Sequence, residues 1–264
     1  MPAWFYDLPV LAALFLIYIV FGCISIFGFW IRRKFLTKRK SFKIISIAQQ
    51  TSLTFGTLFM AFWIAINWQT LDQLALASEN EAHAILNIYS ISKTIHDVNC
   101  RNEVRQSINN YLDSVINDEY KFLEHGQLSS QTEAQFGKLM QTVYKDIPTE
   151  TIQDQMSYQQ MSNALNQLVG YRTERLDFVN GELNGVLLIF FIILLVLICF
   201  WNGCVSNRSN RNFRLTILAL FSQNLIILSS AWLILEIDRP FQGHFHIGNN
   251  SFVSVANEIH KLNF

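Results

Sequence analysis

Residues 186–205 read VLLIFFIILLVLICFWNGCV, a run of 20 residues without a single charged side chain. A helix needs about 20 predominantly apolar residues to cross the hydrocarbon layer of a bilayer, which is ~30 Å thick. Three further runs of this length lack a charged residue at their centre: 8–31, 44–68 and 215–237. A buried core helix accounts for one such run, but not for four in one short chain. The sequence therefore predicts a multi-pass membrane protein with four transmembrane helices.

The segment between the second and third spans, residues 69–185, carries the pattern of amphipathic helices. Its apolar residues recur every three or four positions, and stripes of that width usually form the core faces of helices. The sequence Ser130-Gln-Thr-Glu133 has the form of a capping box that opens one of these helices, with Ser130 as the cap. We therefore predict an all-α fold in which an antiparallel helical bundle is inserted between spans two and three. Residues 238–264 form a C-terminal tail.

The basic residues indicate how the chain is oriented in the membrane. Cytoplasmic loops carry an excess of Lys and Arg, and two short loops of this chain are rich in them. They contain Arg32, Arg33, Lys34, Lys38, Arg39, Lys40 and Lys43 after the first span, and Arg208, Arg211 and Arg214 after the third. We expect both loops to be cytoplasmic in a cell inner membrane. Both termini and the 69–185 domain would then be extracytoplasmic.

Glu81 and two arginines are placed by their spacing from the spans. Glu81 follows Trp68 by 13 residues, and Arg172 precedes Val186 by 14 residues. At ~1.5 Å per helical residue, both lie on the order of 20 Å from the membrane boundary, on antiparallel neighbouring helices. We expect Glu81 to form an ion pair with Arg172 or Arg175. Such a pair contributes about 0–1 kcal/mol if it is partly exposed, and it sets helix register if it faces the interior.

The sequence Asp-Arg-Pro-Phe-Gln-Gly, residues 238–243, follows the fourth span directly. Its proline cannot continue a helix, and its glycine permits a chain reversal. One interpretation is a helix stop at the membrane interface, since Pro and Gly commonly end helices. The other is that the motif lines an extracytoplasmic vestibule with its charges. The candidate residues of this motif are Asp238, Arg239, Pro240, Phe241 and Gly243.

Amide side chains of Asn67, Gln223 and Asn224 lie within the predicted spans. An amide in lipid requires a hydrogen-bond partner, so these residues should face other helices. They either join helices to one another or line a polar path through the membrane. No span has a charged residue at its centre, which argues against a proton relay or a voltage sensor.

Composition and motifs exclude several classes of function. The formal net charge is zero at pH 7, whereas a nucleic-acid partner requires a basic surface. The chain has no nucleophile beside a base, no glycine-rich phosphate loop and no pair of converging carboxylates, so we expect no catalytic site. Its four cysteines lack the paired spacing of a zinc site or a disulfide framework. We predict neither a metal nor a cofactor.

Three sequence features together resemble one known family. They are the motif Asp238-Arg-Pro-Phe-Gln-Gly243, the Glu81-Ala82 pair after span two, and the step Arg172-Thr-Glu-Arg175-Leu176 before span three. In this combination the chain is similar to the bestrophin-like domain family of bacterial membrane proteins of unknown function. The resemblance implies kinship with bestrophins, which are pentameric ion channels. Bestrophins keep their helical domain in the cytoplasm, whereas the basic loops here place it outside.

Two functions follow from these features. The first is an ion channel, a homo-oligomer in the lipid bilayer with an ion path among the spans and with Asp238 and Arg239 near its mouth. The second is a non-conducting sensor or scaffold, whose exported helical bundle binds a ligand or a partner protein. The sequence leaves both open.

Overall fold

A computed structural model describes residues 10–35, 39–145, 147, 152–180, 185–205, 213–242 and 245–262. Helices occupy most of these residues and no β-strand occurs among them, so the predicted all-α class is confirmed. The α-helices are α1 (Val10–Phe35), α2 (Arg39–Ile91), α3 (Val98–Ser114), α4 (Tyr120–Leu123), α5 (Ser130–Lys145), α6 (Ile152–Asp177), α7 (Gly185–Val205), α8 (Phe213–Ile237) and α9 (Asn250–Leu262). Four residues of the predictions above lie outside the described residues: Lys38, Arg208, Arg211 and Gly243.

Among the residues that the structure describes, four helices are long and apolar enough to cross a membrane: α1, α2, α7 and α8. Their mean hydropathy ranges from 1.2 in α2 to 2.9 in α7. Large apolar side chains on these helices are exposed, among them Leu11, Ile26, Phe62, Ile189 and Ile226. Apolar surface of this extent marks contact with lipid or with another protein. The chain is therefore a multi-pass membrane protein, and its α2, with 53 residues, is much longer than a bilayer requires.

The chain divides into two compact units, each with its own hydrophobic core. The first unit comprises Met1–Gln69 and Glu182–Asp238. The second comprises Thr70–Gly181 and Arg239–Phe264. Helix α2 contributes residues to both units, because its first part belongs to the first and its last part to the second.

In the first unit, two glycines bring the backbones of α1 and α7 into contact. A methyl group on Gly203 would collide with the carbonyl of Ser25, and one on Gly28 would collide with the carbonyl of Phe200. Small residues at helix crossings let membrane helices approach this closely. The close approach also allows Ser25 Oγ to donate a hydrogen bond to the Cys199 carbonyl at 2.9 Å.

One residue of the first basic loop takes part in the same contact. Arg32 Nη1 donates to the carbonyl oxygen of Cys204 at 2.8 Å. That carbonyl belongs to the last turn of α7, where the helix leaves acceptors without partners of its own. A cation at this end of a helix also interacts favourably with the helix dipole.

The core of the second unit is formed by apolar residues of α2, α3, α5, α6 and α9, including Ile85, Ile108, Leu139 and Leu165. The sequence had predicted only a tail beyond residue 237. The structure instead forms α9 there, which buries Phe252, Val255 and Ile259 in this core.

The helical segment that begins with α3 changes from α-helical to π-helical before it ends. Residues Val115–Glu119 form a π-helical turn between α3 and α4. A π turn takes up one extra residue, so Val115 and Tyr120, five positions apart, are both buried. The same turn buries Glu119, which is 1% exposed.

The predicted capping box of α5 is wrong by one residue. The backbone N–H of Thr132 donates to Ser129 Oγ at 3.2 Å, so Ser129 rather than Ser130 caps the helix. The cap lies two or three residues before the N–H groups that it satisfies, and sequence alone does not distinguish two adjacent serines. Glu133, which the capping box would have used, points to a different partner.

Candidate functional site

A fully buried arginine lies at the centre of the second unit. Arg175 Nε donates to Glu81 Oε2 at 2.6 Å, and its Nη2 donates to Glu81 Oε1 at 3.1 Å. The same Nη2 donates to Glu119 Oε2 at 2.6 Å. Arg175 and Glu81 are each 0% exposed. Glu81 thus pairs with one of the two arginines that were expected to meet it, and the pair faces the interior.

A second arginine, one helical turn earlier on α6, extends this arrangement toward the surface. Arg172 Nη1 lies 2.8 Å from Glu119 Oε1 and donates to the Tyr111 hydroxyl at 3.1 Å. Tyr111 in turn donates to Glu81 Oε1 at 2.7 Å. The other terminal nitrogen of Arg172 donates at 3.0 Å to Glu133, whose side chain is 66% exposed. We call these six residues the charge cluster: Glu81, Tyr111, Glu119, Glu133, Arg172 and Arg175.

Aromatic rings surround both guanidinium groups. The Arg172 guanidinium carbon lies 4.9 Å from the ring centre of Phe136, and the Arg175 carbon lies 5.4 Å from that of Phe252. A cation over an aromatic face is stabilised by the ring's negative charge distribution, more strongly when water is excluded. The rings therefore replace part of the hydration that the arginines lose on burial.

The charge cluster changes the proton affinities of its members. Burial by itself would lower the pKa of Arg175, but the carboxylates of Glu81 and Glu119 hold that pKa well above its ordinary value. Burial raises the pKa of the Tyr111 hydroxyl well above its ordinary value, and the neighbouring Glu81 raises it further. The arginine thus stays charged and the phenol stays neutral. The two buried arginines balance the two buried glutamates.

The stability of the fold is expected to fall as pH rises above about 10, where tyrosines of the unfolded chain ionise. The folded state keeps the Tyr111 proton to a higher pH, so it binds more protons than the unfolded state in this range. The free energy of unfolding then decreases by up to ~1.4 kcal/mol per pH unit. Below the pKa of tyrosine in the unfolded chain, Tyr111 is protonated in both states and this loss of stability does not occur. Thermal unfolding in detergent across the alkaline range measures this slope. Tyr111→Phe should reduce the slope, and an equal slope in both proteins would contradict the assignment.

The motif after α8 forms a turn anchored in the second unit. Gln242 N–H donates to the Arg239 carbonyl at 2.9 Å, which closes a turn with Pro240 in its second position. The Arg239 side chain donates to Gln242 Oε1 at 3.1 Å. Phe241 is 3% exposed and meets the ring of Tyr120 edge-on at 6.1 Å. Pro240 therefore ends the helix and the buried Phe241 anchors the turn, as the helix-stop interpretation requires. The side chains of Asp238 and Arg239 are half-buried.

The intramembrane amides of the first unit bond to neighbouring helices. Asn67 Nδ2 on α2 donates to the Ile234 carbonyl on α8 at 3.2 Å. Asn224 Nδ2 donates to Ser25 Oγ at 2.9 Å, and Asn202 Nδ2 donates to Asn224 Oδ1 at 3.1 Å. Gln49 on α2 completes the chain by donating to Asn202 Oδ1 at 3.0 Å. These bonds connect all four membrane helices. Gln223, the third amide predicted from the sequence, is half-buried on α8.

The outward side of α2 in the first unit is divided into two halves. One half carries exposed small and polar side chains spaced by three or four residues, which we call the polar stripe: Gln50, Thr54, Thr57 and Ala61. The other half carries exposed large apolar side chains: Phe55, Leu58 and Phe62. The Thr57 hydroxyl bonds to the carbonyl of Thr54 at 3.1 Å. The exposed Gln50 amide carries two donors and an acceptor that hydrocarbon cannot satisfy, so the stripe is poorly suited to lipid.

The family model of the Bestrophin-like domain matches residues 14–252, which is most of the chain. The chain belongs to the Bestrophin-like domain family. The match confirms the resemblance inferred from the motif after α8 and from the Glu81 and Arg172–Leu176 segments.

Solved structures of the same fold cover nearly the whole bestrophin-like chain. A mutant of a bacterial bestrophin homolog from Klebsiella pneumoniae superposes with a TM-score of 0.56 at 12% identity, covering 95% of this chain and 97% of that one. A second structure of a bestrophin homolog from that organism has a TM-score of 0.54 at 13% identity, covering 96% and 98%. At such low identity the likeness shows the fold alone. No curated protein sequence matches the chain.

Three residues of the charge cluster in this bestrophin-like chain were missed by sequence reasoning: Tyr111, Glu119 and Glu133. Glu119 was missed because a π turn directs it into the core, and no residue pattern predicts such a turn. Glu133 was assigned to the capping box and not to Arg172. The i, i+3 spacing of Arg172 and Arg175 was the available signal, since two buried cations on one helix face require more than one carboxylate.

Proposed function

We propose that this chain is one subunit of a homo-oligomeric ion channel whose path is lined by α2. The observation that carries the proposal is the polar stripe on the outward side of a membrane-spanning helix. Polar groups facing hydrocarbon are costly unless they meet a partner or water. A ring of copies, with the polar stripe turned inward and the large apolar half of α2 turned away, places water beside Gln50, Thr54 and Thr57.

Family membership supports the same proposal. Bestrophins are pentameric ion channels, and the chain shares a fold with bacterial bestrophin homologs over nearly its full length. In a single copy, the amides of Asn67, Asn202 and Asn224 bond to neighbouring helices and so do not line a path. The stripe meets its counterparts only when several copies assemble.

The proposed orientation in the cell inner membrane follows from the basic loops. Arg32, Arg33 and Lys34 end α1, and basic residues near a span favour the cytoplasmic side. Both termini and the 69–185 domain are then extracytoplasmic, with Asp238 and Arg239 at the extracytoplasmic end of α8. Reporter fusions at residue 125 and at the C-terminus test this orientation. A cytoplasmic signal at both points would reverse it.

The second candidate is a non-conducting sensor or scaffold that binds a ligand or a partner protein through the 69–185 domain. Its support is the chain of bonds from Gln49 through Asn202 and Asn224 to Ser25, in which intramembrane polar groups join helices. In this alternative the polar stripe packs against a neighbouring copy. Neither candidate assigns the chain a catalytic role.

The mass of the detergent-solubilised protein, by light scattering with the detergent contribution subtracted, tests the oligomer first. A ring of about five chains is expected from the family resemblance, and a monomer or dimer leaves no central path. Planar-bilayer recordings from the purified ring then decide between the two candidates. Conductance supports the channel, and a stable ring without conductance supports the scaffold.

Cysteines on the polar stripe should react with a water-soluble, membrane-impermeant thiol reagent faster than cysteines on the apolar half. Thr57→Cys is the test and its neighbour Leu58→Cys is the control, both in a Cys23→Ser background because Cys23 is an exposed native thiol. The thiolate is the reacting species, and lipid burial raises a thiol pKa by up to 3–5 units, so we expect a rate difference of at least about tenfold. Equal rates at the two positions would contradict a water-filled path beside the stripe.

A further inference from the structure

The last turns of α1 carry a pair of outward-facing aromatic rings beside exposed basic residues. The rings of Phe27 and Trp30 are stacked, with their centres 6.3 Å apart and 18° between their planes. The two residues are 54% and 50% exposed. Lys34 Nζ lies 5.0 Å from the centre of the Trp30 ring, and both Arg33 and Lys34 are exposed. These two basic residues follow Trp30 by three and four positions, so all three are neighbours on the helix surface.

A hydrogen bond fixes this end of α1 at the level where α7 leaves its apolar span. Arg32 Nη1 donates to the carbonyl oxygen of Cys204 at 2.8 Å, and the span of α7 ends at Val205. The region just outside an apolar span is that of the lipid headgroups, where Trp rings and the charged ends of Lys and Arg are enriched. Arg33 and Lys34 therefore lie at the depth of the lipid phosphates.

The chain supplies no carboxylate to balance the basic charge on this side of the membrane. Residues 8–71 contain seven Lys and Arg but no Asp or Glu, and residues 183–235 contain three Arg but no Asp or Glu. These ranges include both short loops between spans. A second copy of the chain offers the same loops, so it supplies no carboxylate at this level either. Anionic lipids attract basic residues beside a span, by about fivefold in affinity for each Lys or Arg.

We propose that an anionic phospholipid binds at the end of α1. Its phosphate is bound by Arg33 and Lys34, since the planar fork of an arginine donates to two phosphate oxygens. The Trp30 ring lies beside the glycerol part of the lipid. One acyl chain follows the exposed apolar side chains of Ile19 and Ile26, which precede Trp30 on the same face of the helix and are 49% and 69% exposed. This site does not depend on whether the assembled protein conducts ions.

Native mass spectrometry of the purified full-length protein in detergent measures the affinity for added lipid. Dioleoyl-phosphatidylglycerol carries one negative charge, and dioleoyl-phosphatidylcholine has the same acyl chains without net charge. We expect the anionic lipid to bind at least about fivefold more tightly. Equal affinities for the two lipids would overturn the proposal. Glycerol phosphate, which lacks acyl chains, should bind far more weakly, and an affinity equal to that of the anionic lipid would exclude a lipid site.

The double variant Arg33→Gln, Lys34→Gln removes both phosphate contacts. Its affinity for phosphatidylglycerol should fall by about 5- to 25-fold, with no change for phosphatidylcholine. The matched control is Lys121→Gln, Lys138→Gln, which removes two exposed charges from the second unit. An equal fall in both double variants would show a general effect of net charge and would overturn the site.

Trp30→Leu tests the site without changing any charge, so the basic loop keeps its full influence on membrane orientation. Loss of a ring beside the Lys34 ammonium should lower the affinity for phosphatidylglycerol by about two- to fivefold. Trp68→Leu is the control, because Trp68 is similarly exposed, at 52%, and lies on α2. An unchanged affinity in Trp30→Leu would show that the ring is not part of the site, and the proposal would be wrong.

Discussion

Arg175→Ala is expected to leave the second unit unable to fold stably. The substitution removes the cation that bonds to both Glu81 and Glu119 and leaves two buried carboxylates close together. Removing one partner of a buried ion pair costs about 3–5 kcal/mol, a large part of the ~5–15 kcal/mol that typically holds a protein folded. Purified yield and melting temperature in detergent measure the loss.

The exposed contact between Glu79 and His83 is the matched control. It joins two side chains of the same helix at 3.6 Å, and these side chains are 60% and 62% exposed. Because solvent screens such a pair, Glu79→Ala should change stability by about 0–1 kcal/mol.

Arg175→Lys separates charge from geometry. It keeps the positive charge but not the planar fork that serves two carboxylates, so its melting temperature should lie between those of Arg175→Ala and the unmodified protein. A melting temperature of Arg175→Ala equal to that of the unmodified protein would contradict a central role for the cluster.

Gly203→Ala is expected to separate α1 from α7. The added methyl would collide with the Ser25 carbonyl, a backbone atom that can move only if the helix moves. Overpacking of this kind costs about 1–3 kcal/mol. The displacement also lengthens the Ser25 bond to the Cys199 carbonyl, whose net contribution is about 1 kcal/mol. A lower melting temperature and a lower yield of monodisperse protein are the expected results.

Gly22→Ala is the control for that experiment. Gly22 lies on α1, the helix that Gly203 of α7 approaches, and the atom nearest to an added methyl is a ring carbon of Tyr18 at 3.9 Å, an ordinary contact. Because Ala also favours the helix more than Gly does, this variant should be neutral or slightly stabilising. If both glycine variants destabilise the protein equally, the close contact between α1 and α7 is not the cause.

The four membrane helices could be predicted because their signal is local. A run of 20 apolar residues is readable along the chain whatever it packs against. The ion pair of Glu81 and Arg175 was predictable for a related reason. Both residues lie on regular helices next to the spans, so the number of intervening residues gives their distance from the membrane boundary.

Other features could not be predicted in the same way. Glu119 is buried because a π turn shifts the helical register by one residue, and no sequence pattern predicts that shift. Helix α9 is short, and its apolar face can be recognised as a core face only when Phe252 is seen packed in the core of the second unit. Adjacent serines before α5 made the cap ambiguous, and only the hydrogen bond of Thr132 distinguishes them.

The sequence by itself determined the helical class, the number of apolar spans, the family resemblance and one pair of opposite charges. Those features depend on residue type and on spacing along one helix. Only the tertiary structure decided that two arginines share two buried glutamates, that amides from three helices and a serine from the fourth form one chain of bonds, and that α2 presents a polar stripe beside an apolar half. These depend on which faces of distant segments meet, because hydrogen bonds and ion pairs act over a few ångströms in space, whereas the residues they join are separated by up to 199 positions in the chain.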